Sequence, residues 1–449
     1  MHYIQPGNIS KCITVDFSYL FSIPLEIDSD KDQVTASTNF VLLSKCWYMV
    51  FFDIPNSLAI SSMVTLLNPK VRNNSADLLI ILVLIIRCKT TAGNFINLKS
   101  FLSFNNNLTE QKKVVFYKFL HYFCRMQTTP QYQAAFLEHL KTFTCDKEPK
   151  SLYQPIHYIL ELGGKRLRPV LTLMTAELFN CDYKKALDAA LSIEVFHNFS
   201  LVHDDIMDDA PLRRGQQTVH EKWDINTGIL SGDAMLIMAY QLFENYDATI
   251  FRALAKLFSK TALEVCEGQQ YDVDFETRDD VTIPEYLKMI EYKTAVLVGA
   301  AMQMGAIVAK ASKEDQQKIY DFGRLLGIAF QLQDDYLDAF GNPETFGKQV
   351  GGDIIENKKT FLYLKALEFS NAADKHQLKQ LFSVNLEDNS DKIETIKAFF
   401  VSTGSAEATQ KEIENYTKKA FAVLDSLTIS EAHKENLRAF GTDLMNRKV

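Results

Sequence analysis

Apolar side chains recur at helical spacing through most of the chain after Met126. Segments 184–208, 229–244, 250–268 and 313–339 carry them at intervals of three and four residues, with few Pro or Gly inside. This period predicts long amphipathic α-helices, and no alternating run typical of a β-strand accompanies them. The pattern therefore predicts an all-α fold, a single large domain of about ten or more helices that can enclose a central cavity.

The first 125 residues have a different pattern. They are rich in Asn, Ser and bulky apolar residues, and the nine apolar residues 78–86 are too few to span a bilayer. The longer stretch 41–67 is interrupted by Lys45, Asp53 and Pro55. A basic start followed by a long apolar run is absent, and the beginning is rich in acids, so neither a signal peptide nor a transit peptide fits.

We therefore divide the chain into residues 1–125, an extension of unknown nature, and residues 126–449, the helical domain. Three interpretations of the extension stay open: a small appended domain, a membrane-associating segment, and translated upstream sequence that is not part of the natural product. We expect the last, because a helical pattern over 131–143 follows directly after Met126, as at an ordinary start of a domain.

Composition excludes several classes of partner. The formal net charge of −8 argues against nucleic acid and against strong attraction to anionic membranes. The seven cysteines are odd in number and show no CxxC spacing. We interpret them as reduced thiols and expect a cytoplasmic protein with no integral membrane association.

Two aspartate clusters of the form DDxxD lie 130 residues apart. Their members are Asp204, Asp205 and Asp208 in the first and Asp334, Asp335 and Asp338 in the second. On a helix, the first and fifth positions share a face, so each cluster places two carboxylates side by side. Such carboxylates repel one another unless a cation lies between them. Oxygen ligands without His or Cys select hard ions, and Mg²⁺ prefers one or two carboxylates together with waters and substrate phosphates.

A single DDxxD is more often a solvated helix face than a metal site. Here the flanks are apolar: Phe199, Leu201 and Val202 precede the first cluster, and Phe330 and Leu332 precede the second. Carboxylates at the end of an apolar helix lie in the wall of a cavity and need a counter-ion. The duplication and the apolar context together favour two facing metal sites that hold one diphosphate.

Basic residues alternate with the aspartate clusters along the chain. Any one of these groups is more often surface charge or a helix cap than a ligand, but paired guanidiniums and glycine loops suit phosphate groups. They occur in the segments GGKRLRP (163–169), RRG (213–215), KT (293–294), GKQVGGD (347–353) and NKKT (357–360).

These motifs resemble, in order and spacing, the trans-isoprenyl diphosphate synthases, the family of farnesyl and geranylgeranyl diphosphate synthases. The resemblance runs from about Met126 to the C-terminus and rests on the segments above together with HDDIMDDAPLRRG and FQLQDDYLD. It implies the isoprenoid synthase-like all-α fold. Nothing in the first 125 residues resembles a family known to us.

The resemblance implies a role for each matching residue. The metal ligands would be Asp204, Asp208 and Asp334, with Asp205, Asp335, Asp338 and Lys293 completing the catalytic groups. The isopentenyl diphosphate contacts would be Lys165, Arg168, His197 and Arg214. The allylic diphosphate contacts would be Arg213, Lys293, Thr294, Gln331, Lys348 and Lys358. His197 stands seven residues before Asp204, on nearly the same helix face, which supports its place in this set.

The function implied is a Mg²⁺-dependent, head-to-tail condensation of isopentenyl diphosphate with an allylic diphosphate, by a homodimer. A terpene cyclase, a lyase, would have no use for the second DDxxD or for a second diphosphate site. A regulatory synthase subunit tends to lose aspartates, and none is missing here. A Ca²⁺-binding structural protein would not need the Arg and Lys pairs.

Product length depends on the residues before the first aspartate cluster. Ser200, one turn before Asp204, leaves room for a prenyl tail, whereas Phe199 is the expected first obstacle. An aromatic at the deeper position alone resembles geranylgeranyl diphosphate makers, and aromatics at both positions resemble farnesyl makers. We expect a twenty-carbon product, with fifteen carbons as the alternative. Phe199 could also pack in an ordinary helix interface while another helix supplies the floor.

Overall fold

The computed structural model describes residues 126–143, 147–341, 351–384 and 389–445. The extension 1–125 and residue Lys348 lie outside this part, so the expectations for them stay predictions. The described residues are almost entirely helical, which confirms the all-α fold of ten or more helices. The α-helices are α1 (Thr129–Phe143), α2 (Lys150–Glu161), α3 (Leu167–Leu178), α4 (Leu187–Met207), α5 (Val219–Lys222), α6 (Ile225–Gln241), α7 (Ala248–Thr277), α8 (Ile283–Ile290), α9 (Val296–Val308), α10 (Lys313–Phe340), α11 (Gly352–Ile355), α12 (Phe361–Phe369), α13 (Ala372–Leu381), α14 (Ser390–Ser402), α15 (Ser405–Asp425) and α16 (Glu431–Met445).

Shorter elements connect some of these helices. Single 3₁₀ turns at Tyr183–Ala186 and Leu242–Asn245 precede α4 and follow α6, and a π turn at Glu291–Ala295 joins α8 to α9. The two-residue strands β1 (Leu212–Arg213) and β2 (Gln216–Gln217) pair antiparallel after α4. The sequence predicted only a loop there.

The observed helix α7 is longer than the sequence predicted. The helix continues nine residues beyond Gly268, which the sequence analysis took as its end. A Cβ at Gly268 would lie 2.2 Å from the backbone nitrogen of Lys293, so the glycine allows the π turn to approach α7. Its function is therefore close packing between helices rather than termination of a helix.

The helix pair α4 and α10 carries the two aspartate motifs, and α9 packs against both of them. Buried apolar side chains form two clusters. Phe196 and Phe199 of α4 belong to the first cluster, whereas Ile328 and Leu332 of α10 belong to the second. The boundary between the clusters falls at the π turn, since Ala295 packs in the second and the next residue in the first. The π turn therefore lies where the two apolar clusters meet.

No helix in the described part of the chain is both long enough and apolar enough to cross a membrane.

Candidate active site

The first aspartate motif lies at the C-terminal end of α4. Asp208 caps the helix, and its N–H donates to the carbonyl of Asp204 at 2.9 Å. Burial raises the pKa of Asp204 to about 6; Lys293 opposes this shift and the neighbouring charge of Asp208 adds to it. A carboxylate in this environment gains most from a nearby cation, because its charge is poorly solvated.

Asp205 is fully buried, whereas Asp204 is half-buried and Asp208 is exposed. Arg213 donates Nε to both carboxylate oxygens, at 2.8 and 2.9 Å, and Nη2 to Oδ1 at 2.5 Å. Burial raises the pKa of Asp205, while Arg213 lowers it. Asp205 therefore holds the hairpin onto the end of α4, which fits the expected supporting role.

The second motif repeats this arrangement on α10. Asp335 is buried and accepts hydrogen bonds from the hydroxyl of Tyr286 and from Nε2 of Gln331, the latter at 3.0 Å. Burial raises the pKa of Asp335, and the neighbouring Asp334 and Asp338 add to the shift. In both motifs, the second aspartate is thus held by protein donors.

Asp338, the last residue of the second motif, connects α10 to α11. Its Oδ2 accepts from the backbone N–H of Asp353 at 3.0 Å, and its carbonyl accepts from that of Gly351 at 2.7 Å. Burial raises the pKa of Asp353 well above its usual value, and the charges of Asp335 and Asp338 raise it further. The carboxylates of α10 and α11 are therefore crowded at one place, where a cation would relieve their repulsion.

Lys293 and Thr294 lie in the π turn and face the two motifs. Lys293 donates Nζ to Oδ2 of Asp272 at 2.5 Å and acts electrostatically on Asp204. Thr294 donates Oγ1 to Oε1 of Gln331 at 3.3 Å, and Gln331 in turn contacts Asp335. The turn therefore connects the first motif on one side with the second on the other. π turns inside helices frequently occur at functional sites.

The glycine loop before α3 contacts the hairpin after α4. Gly163 and Gly164 have φ of 80° and 124°, and the carbonyl of Gly163 accepts from Nη1 of Arg214. A Cβ at Gly164 would lie 3.0 Å from the guanidinium carbon of Arg214, so only glycine leaves room for that side chain. Arg214 and Gly215, at φ of 54° and 75°, form the two-residue hairpin turn.

This contact gathers positive charge around His197. Burial lowers the pKa of His197 well below its usual value, and Arg168 and Arg214 lower it further. Burial also lowers the pKa of Arg168, whose Nε has no hydrogen-bond partner in the part of the chain that the structure describes. Lys165 lies exposed on the same loop. A partly buried group of guanidiniums beside a neutral imidazole is suited to an anion with several oxygens.

The loop is held from below by a buried ion pair. Arg166, at φ 50° and 4% exposed, donates to the carboxylate of Glu194 and to the carbonyl of Leu160. Asn198 donates to the same carboxylate at 3.1 Å. Because Glu194 and Asn198 belong to α4, the basic loop and the first aspartate motif are positioned by one helix.

Lys358 follows α11. Its Nζ lies 2.6 Å from Oε2 of Glu356. Burial lowers the pKa of Lys358, but Asp353 and Glu356 raise it more, and the net shift is upward. Lys358 therefore keeps its charge beside the carboxylates of the second motif.

The two residues expected to set product length lie on α4. Ser200 donates Oγ to the carbonyl of His197 at 2.9 Å, so its hydroxyl is folded back on the helix. Phe199 is 8% exposed, with its ring centroid 4.8 Å from that of His203 and 5.5 Å from that of Phe196. These contacts agree with either a floor or an ordinary packing residue, and the role of Phe199 stays a prediction.

Asp272 and Tyr286 were not among the predicted site residues, and Asp353 was noted only as the last residue of the segment GKQVGGD. Asp272 pairs with Lys293, Tyr286 donates to Asp335, and Asp353 contacts Asp338. The position of Asp272, one turn after Gly268, would have been a usable signal, since that glycine is the contact point with the π turn. Tyr286 gives no such signal, because a buried tyrosine is common in any helical core.

The described part of the chain is a helical domain in which two carboxylate-bearing helices lie near one π turn and a basic loop lies beside the first of them. The family model of the polyprenyl synthetases matches residues 149–399, and the chain belongs to this family. It is accordingly an enzyme of the trans-prenyltransferase type.

Three known proteins illustrate the similarity. A geranylgeranyl pyrophosphate synthase of Geoglobus acetivorans is 43% identical over 234 residues, which are 51% of this chain and 73% of that protein. A geranylgeranyl pyrophosphate synthase of known crystal structure is 58% identical in sequence, with a TM-score of 0.70. The match covers 72% of this chain and 100% of that protein's chain. A polyprenyl synthase from Caulobacter crescentus CB15, complexed with calcium and isoprenyl diphosphate, is 26% identical, with a TM-score of 0.64, and covers 72% of this chain and 96% of its own.

Proposed function

We propose that this chain condenses isopentenyl diphosphate with an allylic diphosphate, head to tail and with Mg²⁺, to geranylgeranyl diphosphate. This proposal rests on one observation: both aspartate motifs approach the π turn that contains Lys293 and Thr294. The names of the two geranylgeranyl pyrophosphate synthases described above support the product, and farnesyl diphosphate stays the alternative.

The donor set fits Mg²⁺. Asp204, Asp208 and Asp334 offer carboxylate oxygens, and the raised pKa of Asp204, caused by burial, shows an anion short of solvation. Bound there, Mg²⁺ would supply charge neutralisation for the leaving diphosphate. The calcium and isoprenyl diphosphate in the structure of the Caulobacter crescentus relative support a divalent ion together with a diphosphate.

The residues of the chain divide between the two substrates. Lys293, Thr294, Gln331, Lys358 and Lys348 hold the allylic diphosphate and orient it for departure of the leaving group. Arg213 is proposed as a positioning residue here, since Asp205 already accepts from its Nε and Nη2. Charge-assisted contacts of this kind stabilise the developing diphosphate and need no nucleophile.

The basic pocket formed by Lys165, Arg168, His197 and Arg214 holds isopentenyl diphosphate. Its double bond attacks the allylic carbon from which the diphosphate departs, and the proton lost afterwards passes to the released diphosphate. Packed apolar side chains such as Phe196 and Val202 of α4 keep water from the carbocation.

One assay tests the reaction. The protein is incubated with both diphosphates and Mg²⁺, and chain extension is measured; a terpene cyclase or a regulatory subunit would give none. Asp204→Ala or Asp334→Ala should lower turnover by orders of magnitude while the far-ultraviolet circular dichroism stays the same. Turnover near that of the wild type in both variants at limiting Mg²⁺ would refute the metal assignment.

The allocation of substrates has its own test. Arg214→Ala should raise KM for isopentenyl diphosphate, whereas Lys293→Ala should raise KM for the allylic substrate. Each loses a charge-assisted contact of about 1.5–3 kcal/mol, roughly tenfold to a hundredfold in affinity. The opposite pairing of KM shifts would overturn the allocation.

Product length is tested at Phe199. Phe199→Ala should lengthen the main product by at least one five-carbon unit if its ring forms the floor. The matched control is Phe258→Ala, a buried ring of α7 that packs against the rings of Phe196, Tyr240 and Phe243. Unchanged products in Phe199→Ala would show that the floor lies elsewhere.

We also propose a homodimer that buries the outer face of α6. Leu230 and Ile237, seven residues apart on one stripe of that helix, are 60% and 58% exposed, and Ile229 at the edge of this face is 41% exposed. A second copy can cover such a face symmetrically. Leu230→Asp with Ile237→Asp should give monomers in light scattering, whereas Val401→Asp, at a residue 63% exposed on α14, should not.

A cytoplasmic location is proposed from the cysteines. Cys181 and Cys266 are free thiols in the described part of the chain. Fractionation of cells with an antibody to the helical domain would test this.

A further inference from the structure

A group of three potential metal ligands follows the first aspartate motif along the chain. Asp209 follows the motif, and His220 and Glu221 lie in α5, with their ligand atoms all within 4.8 Å of one another. None of the three belongs to the diphosphate site described above. Asp209 has φ 48°, a left-handed conformation that directs the chain out of α4 and toward the hairpin.

His220 distinguishes this group from ordinary surface acids. The whole residue is 8% exposed and its side chain 4% exposed, yet neither ring nitrogen has a hydrogen-bond partner among the described residues. Its Cβ is enclosed between α4 and α6, since a Cβ at Gly228 would lie 3.8 Å from it and 2.8 Å from Cδ1 of Ile206. A buried imidazole with two unsatisfied nitrogens is unfavourable, so the site calls for a ligand.

An internal ion pair does not satisfy this imidazole. Nε2 lies 3.9 Å from Oε1 of Glu221, which is too long for a hydrogen bond. Both carboxylates are exposed, whereas the imidazole is buried. One imidazole nitrogen and two carboxylate oxygens form a ligand set that Zn²⁺ accepts.

We propose that Asp209, His220 and Glu221 bind one Zn²⁺ ion, with water as the fourth ligand. Imidazole nitrogen suits Zn²⁺, whereas the all-oxygen aspartate motifs suit Mg²⁺, so the two ions are sorted by ligand chemistry. A tetrahedral ion with bonds of about 2.0–2.2 Å holds its ligands roughly 3.5 Å apart, so the carboxylates need to close by roughly an ångström. The ion would tie the residue after Asp208 to α5 and so fix the end of the first motif.

The test is Zn²⁺ binding by the full-length protein with Mg²⁺ in excess and no diphosphate present. Calorimetry should find one Zn²⁺ per chain. Asp209→Asn and Glu221→Gln, both at exposed positions, should weaken binding by about tenfold or more, in line with loss of a metal contact. Zinc-edge absorption spectroscopy should show one imidazole nitrogen, and His220→Gln should remove it.

Two controls separate this site from others. Glu161→Gln breaks an exposed pair in which Nδ1 of His157 lies 2.9 Å from the carboxylate, and it should leave Zn²⁺ binding unchanged. Asp334→Asn removes a carboxylate of the second motif and should also leave it unchanged. Equal Zn²⁺ binding in the wild type, Asp209→Asn and Glu221→Gln would overturn the proposal, as would absence of bound Zn²⁺ in the wild type.

Discussion

At the scale of single residues, the second aspartate of each motif has a structural task. Asp205 is bound by Arg213, and Asp335 is bound by Tyr286 and Gln331. Both carboxylates are buried, and each fixes the end of its helix against a neighbouring element. The remaining aspartates of the motifs include the three proposed metal ligands, Asp204, Asp208 and Asp334.

The hydroxyl of Tyr286 should matter for catalysis although it touches no substrate. Tyr286→Phe keeps the ring in the core but removes a hydrogen bond that lowers the pKa of Asp335. The acid limb of the pH–rate profile should move to higher pH, and kcat should fall by roughly tenfold. Tyr363→Phe, at a similarly buried ring whose hydroxyl bonds no described residue, is the control. Identical pH profiles in the wild type and Tyr286→Phe would refute this role.

Asp204 should destabilise the metal-free protein at neutral pH. Burial raises its pKa to about 6, so the folded state takes up a proton as pH falls through about 6. The unfolded state takes up this proton only near pH 3.8. The folded state binds more protons between these values, so this group stabilises the fold as pH falls from 7 to 4. In EDTA, Asp204→Asn should be more stable than the wild type at pH 7 by on the order of 1–3 kcal/mol, with the difference gone near pH 4. Lower stability of the variant at pH 7 would contradict the sign.

The sequence predicted those residues of the site that are charged and belong to a motif. The acids, Arg214 and Lys293 could be found because their order and spacing are unusual. Tyr286 and Asp272 could not, since their partners lie on other helices and only packing reveals the contact. The pairing of Arg213 with Asp205 was also hidden, because it depends on the hairpin turn that no apolar pattern specified.

At the scale of elements, α14 positions the loop that carries Lys358. Lys392 is 2% exposed and donates to Oδ1 of Asn357 at 2.7 Å and to the carbonyl of Val384 at 2.9 Å. Asn357 adopts φ 58°, a conformation that needs support in a residue other than glycine. Lys392 therefore acts through the turn that precedes Lys358.

Removal of this lysine should affect one substrate selectively. Lys392→Met keeps the length of the side chain but releases Asn357, so KM for the allylic diphosphate should rise about fivefold to tenfold. KM for isopentenyl diphosphate and kcat should change little. Lys397→Met, which breaks only a 3.5 Å surface pair with Glu394, should change neither constant. An equal rise in both KM values would indicate general loss of structure instead.

Helix boundaries show where local patterns are insufficient. The spacing of apolar residues predicted the end of α10 to within one residue. This helix packs against other helices on two faces, so its apolar pattern continues to its end. The sequence analysis placed the end of α7 at Gly268, because glycine usually interrupts a helix. The requirement that overrides this preference, close approach of the π turn, comes from tertiary packing.

At the scale of the whole molecule, the helical domain should function without residues 1–125. The solved structure of a geranylgeranyl pyrophosphate synthase matches 72% of this chain over its own entire length. Residues 126–449 make up the same share of the chain. The start of the domain is anchored at this point, since the N–H of Gln127 donates to Glu177 at 3.1 Å and the hydroxyl of Tyr132 donates to the same carboxylate.

A protein beginning at Met126 should therefore be folded and as active as the full chain. A shorter one beginning after Phe143 is the control. It loses Tyr132 and Phe136, both fully buried, and losing a buried aromatic ring costs about 3–5 kcal/mol, so this form should unfold. Thermal unfolding and specific activity of the two forms give the measurement. In native material, mass spectrometry should find no peptide from residues 1–125. An insoluble or inactive protein from Met126 onward, or such peptides in native material, would show that the extension belongs to the enzyme.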